Sequence, residues 1–275
     1  MPKLAVLGQP VSHSRSPVMQ NAALAELGLA PEWSYEAIEV APEGFAALVT
    51  ELASGGYAGV NVTVPHKLAA LAAADEASAT ARAIGAANTL TFTNGRIAAE
   101  NTDGIGIIDS LPGSPAGKRA LVMGAGGSAR AAIWALREAG AEVHVWNRTE
   151  AKARDLAREF GVAHDQAPGP DFDLILNTTT VGLRSANEGQ PLTESGFPDL
   201  KALPIEADAI KAEVVLDLVY GSHETQLIAA ARAAGAVPVD GLEILVRQGA
   251  ESLRLWTGAE PPVATMLSAA RGEGP

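Results

Sequence analysis

Four short runs in this 275-residue chain carry residues able to do chemistry, and each follows a stretch that reads as a β-strand. In Asn61-Val62-Thr63-Val64-Pro65-His66-Lys67 the strand stops at the proline, so Lys67 projects from a strand-to-helix turn. In Asn101-Thr102-Asp103-Gly104 a carboxylate stands where turn residues give way to a helix that it can cap. Ser12-His13-Ser14-Arg15-Ser16-Pro17 places closely spaced hydroxyls after the first strand. Gly124-Ala125-Gly126-Gly127-Ser128-Ala129 follows another apolar strand and opens a helix. Taken singly, the first three are ordinary turn and cap chemistry. Their recurrence at successive strand ends sets them apart, because ligands gather at the carboxyl ends of parallel strands.

The glycine run has the form G-x-G-x-x-A. Gly124 permits a tight turn, Gly126 lets backbone approach a pyrophosphate, and Ala129 lets the helix lie close to its strand. The helix N-terminus then presents N–H groups and positive dipole character to phosphates. About 20 residues beyond such glycines an acid usually holds the ribose hydroxyls. Here the next strand ends at Trp146 and is followed by Asn147-Arg148-Thr149, with Lys152 one turn on. A guanidinium at that place suits a 2′-phosphate through charge-assisted bonds, and an acid would repel it. The charge pattern therefore predicts NADP as cofactor rather than NAD.

Removing hydride from an alcohol requires a group that takes the hydroxyl proton. The chain has no cysteine, which excludes thiolate catalysis and cysteine-ligated zinc. Its five histidines, His13, His66, His144, His164 and His223, show no metal-ligand spacing, so no metal site is expected. The proton-transfer group must then be Lys, Tyr, Asp or Glu. A net charge of -12 argues against general nucleic-acid binding and leaves room for a local cationic pocket. No run of about 20 apolar residues is present, so no membrane span is expected. The apolar stretch ending at Gly8 is too short for a secretion signal, and a cytoplasmic location is the expectation.

The elements that would position these residues alternate between strand and helix. Strands are expected at 4–7, 34–38, 59–62, 89–92 and 96–99. Helices are expected at 17–27, with Ser16 as N-cap and Pro17 in first helical position, and at 42–53. The stretch Leu111-Pro112-Gly113-Ser114-Pro115-Ala116-Gly117 reads as part of the connection between two domains. A second series follows: strand 119–123, helix 128–139, strand 142–146, helix 150–160, strands 174–177 and 214–218, helix 224–234 and strand 236–239. Residues 242–270 read as helical, with Leu242, Leu245, Val246, Leu253 and Trp256 on one broad face. The fold class is α/β in two domains, each with a mainly parallel sheet.

These segments, together with Gly85-Ala86-Ala87-Asn88-Thr89-Leu90 and Gly241 to Ala250, resemble the signature blocks of shikimate dehydrogenases, in order and spacing from residue 5 to about 256. The resemblance implies a substrate-binding domain of residues 1–102 plus 242–275 and a Rossmann NADP-binding domain of residues 103–241, with the C-terminal helices returning to the first. It implies that Lys67 and Asp103 form the catalytic pair. It implies that Ser14 and Ser16 bind the substrate carboxylate, and that Thr63, Asn88 and Gln248 bind its hydroxyls or carboxylate. For NADP it implies Gly124, Ala125, Gly126, Gly127, Ser128 and Ala129, then Asn147, Arg148, Thr149 and Lys152. Thr178 or Thr179, Leu218, Gly241 and Leu245 match positions lining the nicotinamide side.

The implied activity is reversible NADPH-dependent reduction of 3-dehydroshikimate to shikimate, with a small molecule as partner and a monomer or homodimer as assembly. Two other readings compete. One is a quinate/shikimate dehydrogenase using NAD or both cofactors. Ser16 weighs against it, since quinate-preferring relatives tend to carry threonine there. The other is a non-catalytic shikimate-binding regulator, whose expected sign is loss of Lys67 or Asp103; both are present. The loop 184–191 differs freely in such proteins and carries no inference.

Overall fold

The computed structural model describes residues 2–183 and 198–273, so the loop 184–191 lies outside the described residues. The chain divides into two compact units, Met1–Gly106 with Leu245–Pro275, and Ile107–Ile244. Both boundaries fall inside helices. The Pro/Gly stretch 111–117 is therefore not the connection between units: it lies within the second unit, after the first of those helices has ended.

In the first unit, strands β1 (Lys3–Gly8), β2 (Ser34–Glu39), β3 (Tyr57–Val62), β4 (Glu76–Ala77), β5 (Thr89–Thr93) and β6 (Arg96–Glu100) form one sheet in the order β2-β1-β3-β5-β6-β4. The pairs β1–β2, β1–β3 and β4–β6 are parallel, while β3–β5 and β5–β6 are antiparallel. The sheet is thus more mixed than strand–helix alternation suggests. One source is Asn94-Gly95, which joins β5 to β6: both residues take positive φ, at 52° and 76°, which two-residue hairpin turns need. That hairpin returns β6 antiparallel to β5, while β5 itself runs antiparallel to β3 and so has its first residues beside the carboxyl end of β3.

Helix α1 (Ser16–Glu26) covers one face with Met19, Ala23 and Leu24. Helix α2 (Phe45–Ser54), led in by a 3-10 turn over Pro42–Gly44, covers the other. Its Phe45, Val49 and Leu52 pack on Leu7, Val60, Val62 and Leu90 of the sheet. Short helices α3 (Lys67–Ala72) and α4 (Ala79–Ile84) connect strands, and α5 (Asp103–Ser110) leaves the unit. The cap of α1 departs from expectation. Arg15, not Ser16, is its N-cap, and Ser16 is the first helical residue. The Ser14 Oγ reaches back to accept the Ser16 N–H at 3.2 Å, so the turn starts one residue early.

In the second unit, β7 (Arg119–Met123), β8 (Glu142–Trp146), β9 (Ala163–His164), β10 (Leu174–Asn177), β11 (Val214–Asp217) and β12 (Val237–Val239) form an all-parallel sheet ordered β12-β11-β10-β7-β8-β9. Helices α6 (Gly127–Glu138), α7 (Glu150–Phe160) and α8 (Gln226–Ala233) return the chain between strands. Apolar clusters cover both faces, which is why β10 and β11 are apolar runs without alternation. Among the described residues the C-terminal region is two helices, α9 (Gly241–Thr257) and α10 (Val263–Arg271), broken at Gly258 with φ 68° and by Pro261-Pro262. Helix α10 packs on α1 in the first unit.

Candidate active site

Doubly wound sheets bind ligands outside the carboxyl ends of their strands, at the point where strand order reverses. In the first unit that point lies between β1 and β3. The loop after β1 carries Ser14 and Ser16, and the turn after β3 carries Thr63 and Lys67. Because β5 runs antiparallel to β3, its start brings Asn88 to the same edge, and β6 returns there with Asp103 just beyond its end. One mixed sheet thus collects residues from four segments along a single border. Gly8 is needed for this border to close: a Cβ there would lie 2.4 Å from Thr63 Cγ2.

The centre of the edge is an ion pair. Lys67 Nζ lies 2.6 Å from Asp103 Oδ2, with both side chains 10% exposed. So little exposure makes each charge dependent on the other, because an unpartnered charge out of water is costly. Asn88 Nδ2 donates to Asp103 Oδ1, to Thr102 Oγ1 and to Gln248 Oε1, each at 2.9 Å. The Asn88 Oδ1 accepts from the Thr102 N–H at 2.7 Å and from the Thr89 hydroxyl at 3.1 Å. Those donors fix which way the amide faces, so its N–H bonds point at the Asp103 carboxylate. The Asp103 N–H is itself held by Asn101 Oδ1 at 3.1 Å, which sets the start of α5.

Behind this front lies a second layer of buried polar groups. Ser252 Oγ meets Thr89 Oγ1 at 2.8 Å, accepts from Asn61 Nδ2 at 2.9 Å and donates to the Gln248 carbonyl at 3.1 Å. Asn61 Oδ1 in turn accepts from the Tyr35 hydroxyl at 2.8 Å. Helix α5 approaches α9 closely at Gly106, where a Cβ would sit 2.8 Å from Gln248 Cβ. Gln248 is one helical turn from Ser252, so α9 offers both residues on one face.

The sequence-derived residues fall into three sets in this unit. Lys67, Asp103, Asn88 and Gln248 join one bonded cluster. Ser14, Ser16 and Thr63 stand at the tips of β1 and β3, outside that cluster; Ser16 is buried and Ser14 half-buried. Leu245, half-buried on α9, lends its carbonyl to Gln248 Nε2 at 2.8 Å. Thr102, Thr89, Asn61, Ser252 and Tyr35 were not singled out from sequence. Ser252 carried one usable signal, its spacing of four from Gln248. Two histidines have structural roles: His66 stacks on Phe45 at 4.6 Å, and His144 is held by Asp165 and Glu142. Among the described residues no group of three or more His, Asp or Glu is placed to hold a metal ion.

In the second unit the strand order reverses between β7 and β10. Gly124 follows β7 with φ 129°, and a Cβ there would lie 2.4 Å from Thr178 Oγ1. The tip of β10 therefore closes directly on the glycine turn, with Thr178 Oγ1 bonded to the Met123 carbonyl at 2.8 Å. A Cβ at Gly126 would meet nothing within 4 Å, so the backbone faces open space at the mouth of α6. No side chain caps α6 through Gly126, and Ala129 is fully buried against the sheet. This cradle fits a pyrophosphate.

After β8, Asn147 Nδ2 bonds the Thr149 carbonyl at 3.0 Å and shapes the entry to α7. Arg148 and Lys152 are exposed and, among the described residues, form no ion pair. Other arginines of α7 are paired within it: Arg154 with Glu150 and Arg158 with Asp155. The two free cations at the tip of β8 fit a phosphate on the ribose. Gly241 abuts the loop after β11, since a Cβ there would lie 2.8 Å from the Leu218 carbonyl oxygen.

Comparison with known proteins agrees with this geometry. Residues 6–90 match the family model for the shikimate dehydrogenase substrate binding domain. Residues 109–197 match the model for shikimate / quinate 5-dehydrogenase, and 241–271 that for the shikimate 5'-dehydrogenase C-terminal domain. The shikimate dehydrogenase (NADP(+)) of Brucella abortus is 43% identical, over 96% of this chain and 92% of the relative. The protein of that name from Methanothermobacter thermautotrophicus is 37% identical over 96% of this chain and 94% of its own. The crystal structure of shikimate 5-dehydrogenase from Thermus thermophilus in complex with NADP(H) and shikimate superposes with a TM-score of 0.87 at 41% identity, over 99% of each chain.

Proposed function

The chain belongs to the shikimate dehydrogenase family, and we propose on that premise that it reduces 3-dehydroshikimate to shikimate, reversibly, with NADPH. The observation that carries the reading is the Lys67–Asp103 pair at 2.6 Å, fixed on the sheet edge by Asn88. When bound, the nicotinamide supplies or receives the hydride. Everything else is the work of the chain's own side chains.

In the reducing direction the Lys67 ammonium donates a proton to the carbonyl oxygen of the substrate as it becomes a hydroxyl. In the oxidising direction the neutral Lys67 amine accepts it. The Asp103 carboxylate aims the amine, and the Asn88 amide aims the carboxylate. Asn88 Nδ2 has two hydrogens for three acceptors. One acceptor is therefore in surplus, and Gln248 is the one able to turn to a substrate hydroxyl. Ser14 and Ser16 hold the substrate carboxylate, and Thr63 a hydroxyl. A ring carrying several hydroxyls is recognised by such aligned partners, since a ligand missing one leaves a buried group unpaired.

For the cofactor, Gly124 to Ala129 cradle the pyrophosphate at the start of α6, and Arg148 with Lys152 bind the 2′-phosphate, with Asn147 and Thr149 shaping their loop. Thr178, Thr179, Leu218, Gly241 and Leu245 line the nicotinamide side. The first unit is the substrate domain and the second the cofactor domain. No described helix is long and apolar enough to cross a membrane; the enzyme acts in the cytoplasm, as monomer or homodimer.

The test is NADPH oxidation followed spectrophotometrically with 3-dehydroshikimate, beside parallel assays with NADH and with 3-dehydroquinate. Turnover preferring NADPH and 3-dehydroshikimate is expected. A mainly NADH-driven rate, or faster reduction of dehydroquinate, would replace this reading with that of a quinate/shikimate enzyme.

A further inference from the structure

The tips of β10 and β11 hold two fully buried polar residues. Asn177 is 0% exposed and Asp217 is 1% exposed. Among the described residues Asp217 has no cationic partner. Its Oδ1 accepts from Asn177 Nδ2 at 2.9 Å and from the Val219 N–H at 3.0 Å, and its Oδ2 accepts from the Thr225 hydroxyl at 2.6 Å. Asn177 passes the link onward. Its Oδ1 accepts the N–H and hydroxyl of Thr179 at 3.0 Å and 2.7 Å, and its Nδ2 also donates to the Val181 carbonyl at 3.1 Å. Thr225 caps α8 by accepting the Ile228 N–H at 3.3 Å. One Asn–Asp contact therefore fastens three segments: 177–181, 217–219 and the start of α8.

We infer that Asp217 is a positioning residue for the nicotinamide side of the dinucleotide site, acting through Asn177 on Thr178 and Thr179 and through its own loop on Leu218. The inference rests on the cofactor reading above, since those are the residues assigned to that side. The geometry favours a specific device. Both partners of Asp217 Oδ1 are donors, so that oxygen must stay an acceptor. The Thr225 hydroxyl is donor or acceptor as required, so Oδ2 is indifferent to carrying a proton. Burial, with the Asp199 carboxylate adding to it, pushes the Asp217 carboxyl up to about 7. The link keeps its shape in either protonation state, and an amide oxygen and amide NH₂ would reproduce it.

This yields a paired test. Asp217→Asn keeps every bond, with its Oδ1 accepting and its Nδ2 donating to Thr225. It should hold both KM values and kcat within roughly threefold of wild type. Asp217→Leu fills the same space and accepts nothing. It should raise the KM for NADPH by roughly tenfold or more and leave that for 3-dehydroshikimate within about twofold. Thr225→Val, which removes the bond to Asp217 Oδ2 together with the cap of α8, should act in the same direction by a smaller factor, and decides the matter if Asp217→Leu does not fold. A purely structural role predicts a lower active fraction with both KM values unchanged. The inference is overturned by that result, by equal rises in both KM values, or by Asp217→Asn failing as badly as Asp217→Leu. Fluorescence titration of the wild type with NADPH separates the two readings: no binding sinks the cofactor assignment, whereas normal binding with an indifferent Asp217→Leu sinks only the positioning role.

Discussion

The polar edge of the first sheet and the glycine face of the second are built on opposite plans. Around Lys67 the side chains are bonded to each other before any ligand arrives, through Asp103, Asn88, Thr102, Gln248 and Ser252. Around Gly126 the backbone faces open space, and Arg148 and Lys152 extend without partners among the described residues. The proton transfer proposed for Lys67 depends on an amine held within a fraction of an ångström, which suits cross-braced surroundings. Phosphate binding needs donors and positive charge that can close around an anion, and leaving them free keeps them available. The contrast predicts that the first region fails through lost chemistry and the second through lost affinity.

The largest test of that contrast is Lys67→Ala. Proton transfer by a placed side chain contributes roughly 10²–10⁴ in rate, so kcat should fall by about that factor while folding, checked by circular dichroism, persists. A kcat within about tenfold of wild type would remove Lys67 from the reaction. Next is Arg148→Ala. Losing charge-assisted bonds worth about 1.5–3 kcal/mol should raise the KM for NADPH by roughly 10–100-fold and leave NADH nearly unchanged. An equal loss with both cofactors would break the 2′-phosphate argument and with it the second half of the comparison.

Smaller effects probe the bracing itself. Ser252→Ala removes a contact of Asn61, Thr89 and Thr102 without touching Asn88 or Lys67. It should cost about 1–2 kcal/mol in chemical denaturation and lower kcat by less than about tenfold. Smallest is Tyr35→Phe, which takes away the donor to Asn61 Oδ1 and should cost about 1 kcal/mol with kinetics unchanged. A hundredfold loss of kcat in Tyr35→Phe would mean that the buried layer joins the proton path rather than merely holding it, since bracing alone does not act at that scale.

Much of this was legible in the sequence, for a physical reason. Lys67, Asp103 and the glycine turn sit where a strand ends and turn chemistry begins, so a local pattern announces them. The apolar runs of β7, β10 and β11 end where the structure ends them, within a residue. The buried layer was not legible. Asn61 and Ser252 stand 191 positions apart, and a single polar residue in a strand or helix has no local sign of its partner. Asn177 and Asp217, 40 positions apart, did carry a sign: each is the polar last residue of an otherwise apolar strand. The antiparallel return of β6 on β5 followed from Asn94-Gly95, a two-residue hairpin signal that outweighs the general expectation of parallel strands. The start of α1 shifted because a hydroxyl at 14, rather than at 16, took the turn.

Gly106 carries a lesson for anyone who scores this enzyme by saturation mutagenesis. It has no functional group, touches no reactant and is not strained in its backbone. Yet any side chain there would press on Gln248 and lever the helix whose first residue is Asp103. Such a library would rank position 106 beside Lys67 and Asp103, and a reader of the ranking alone would mistake a need for clearance between two helices for a role in the chemistry.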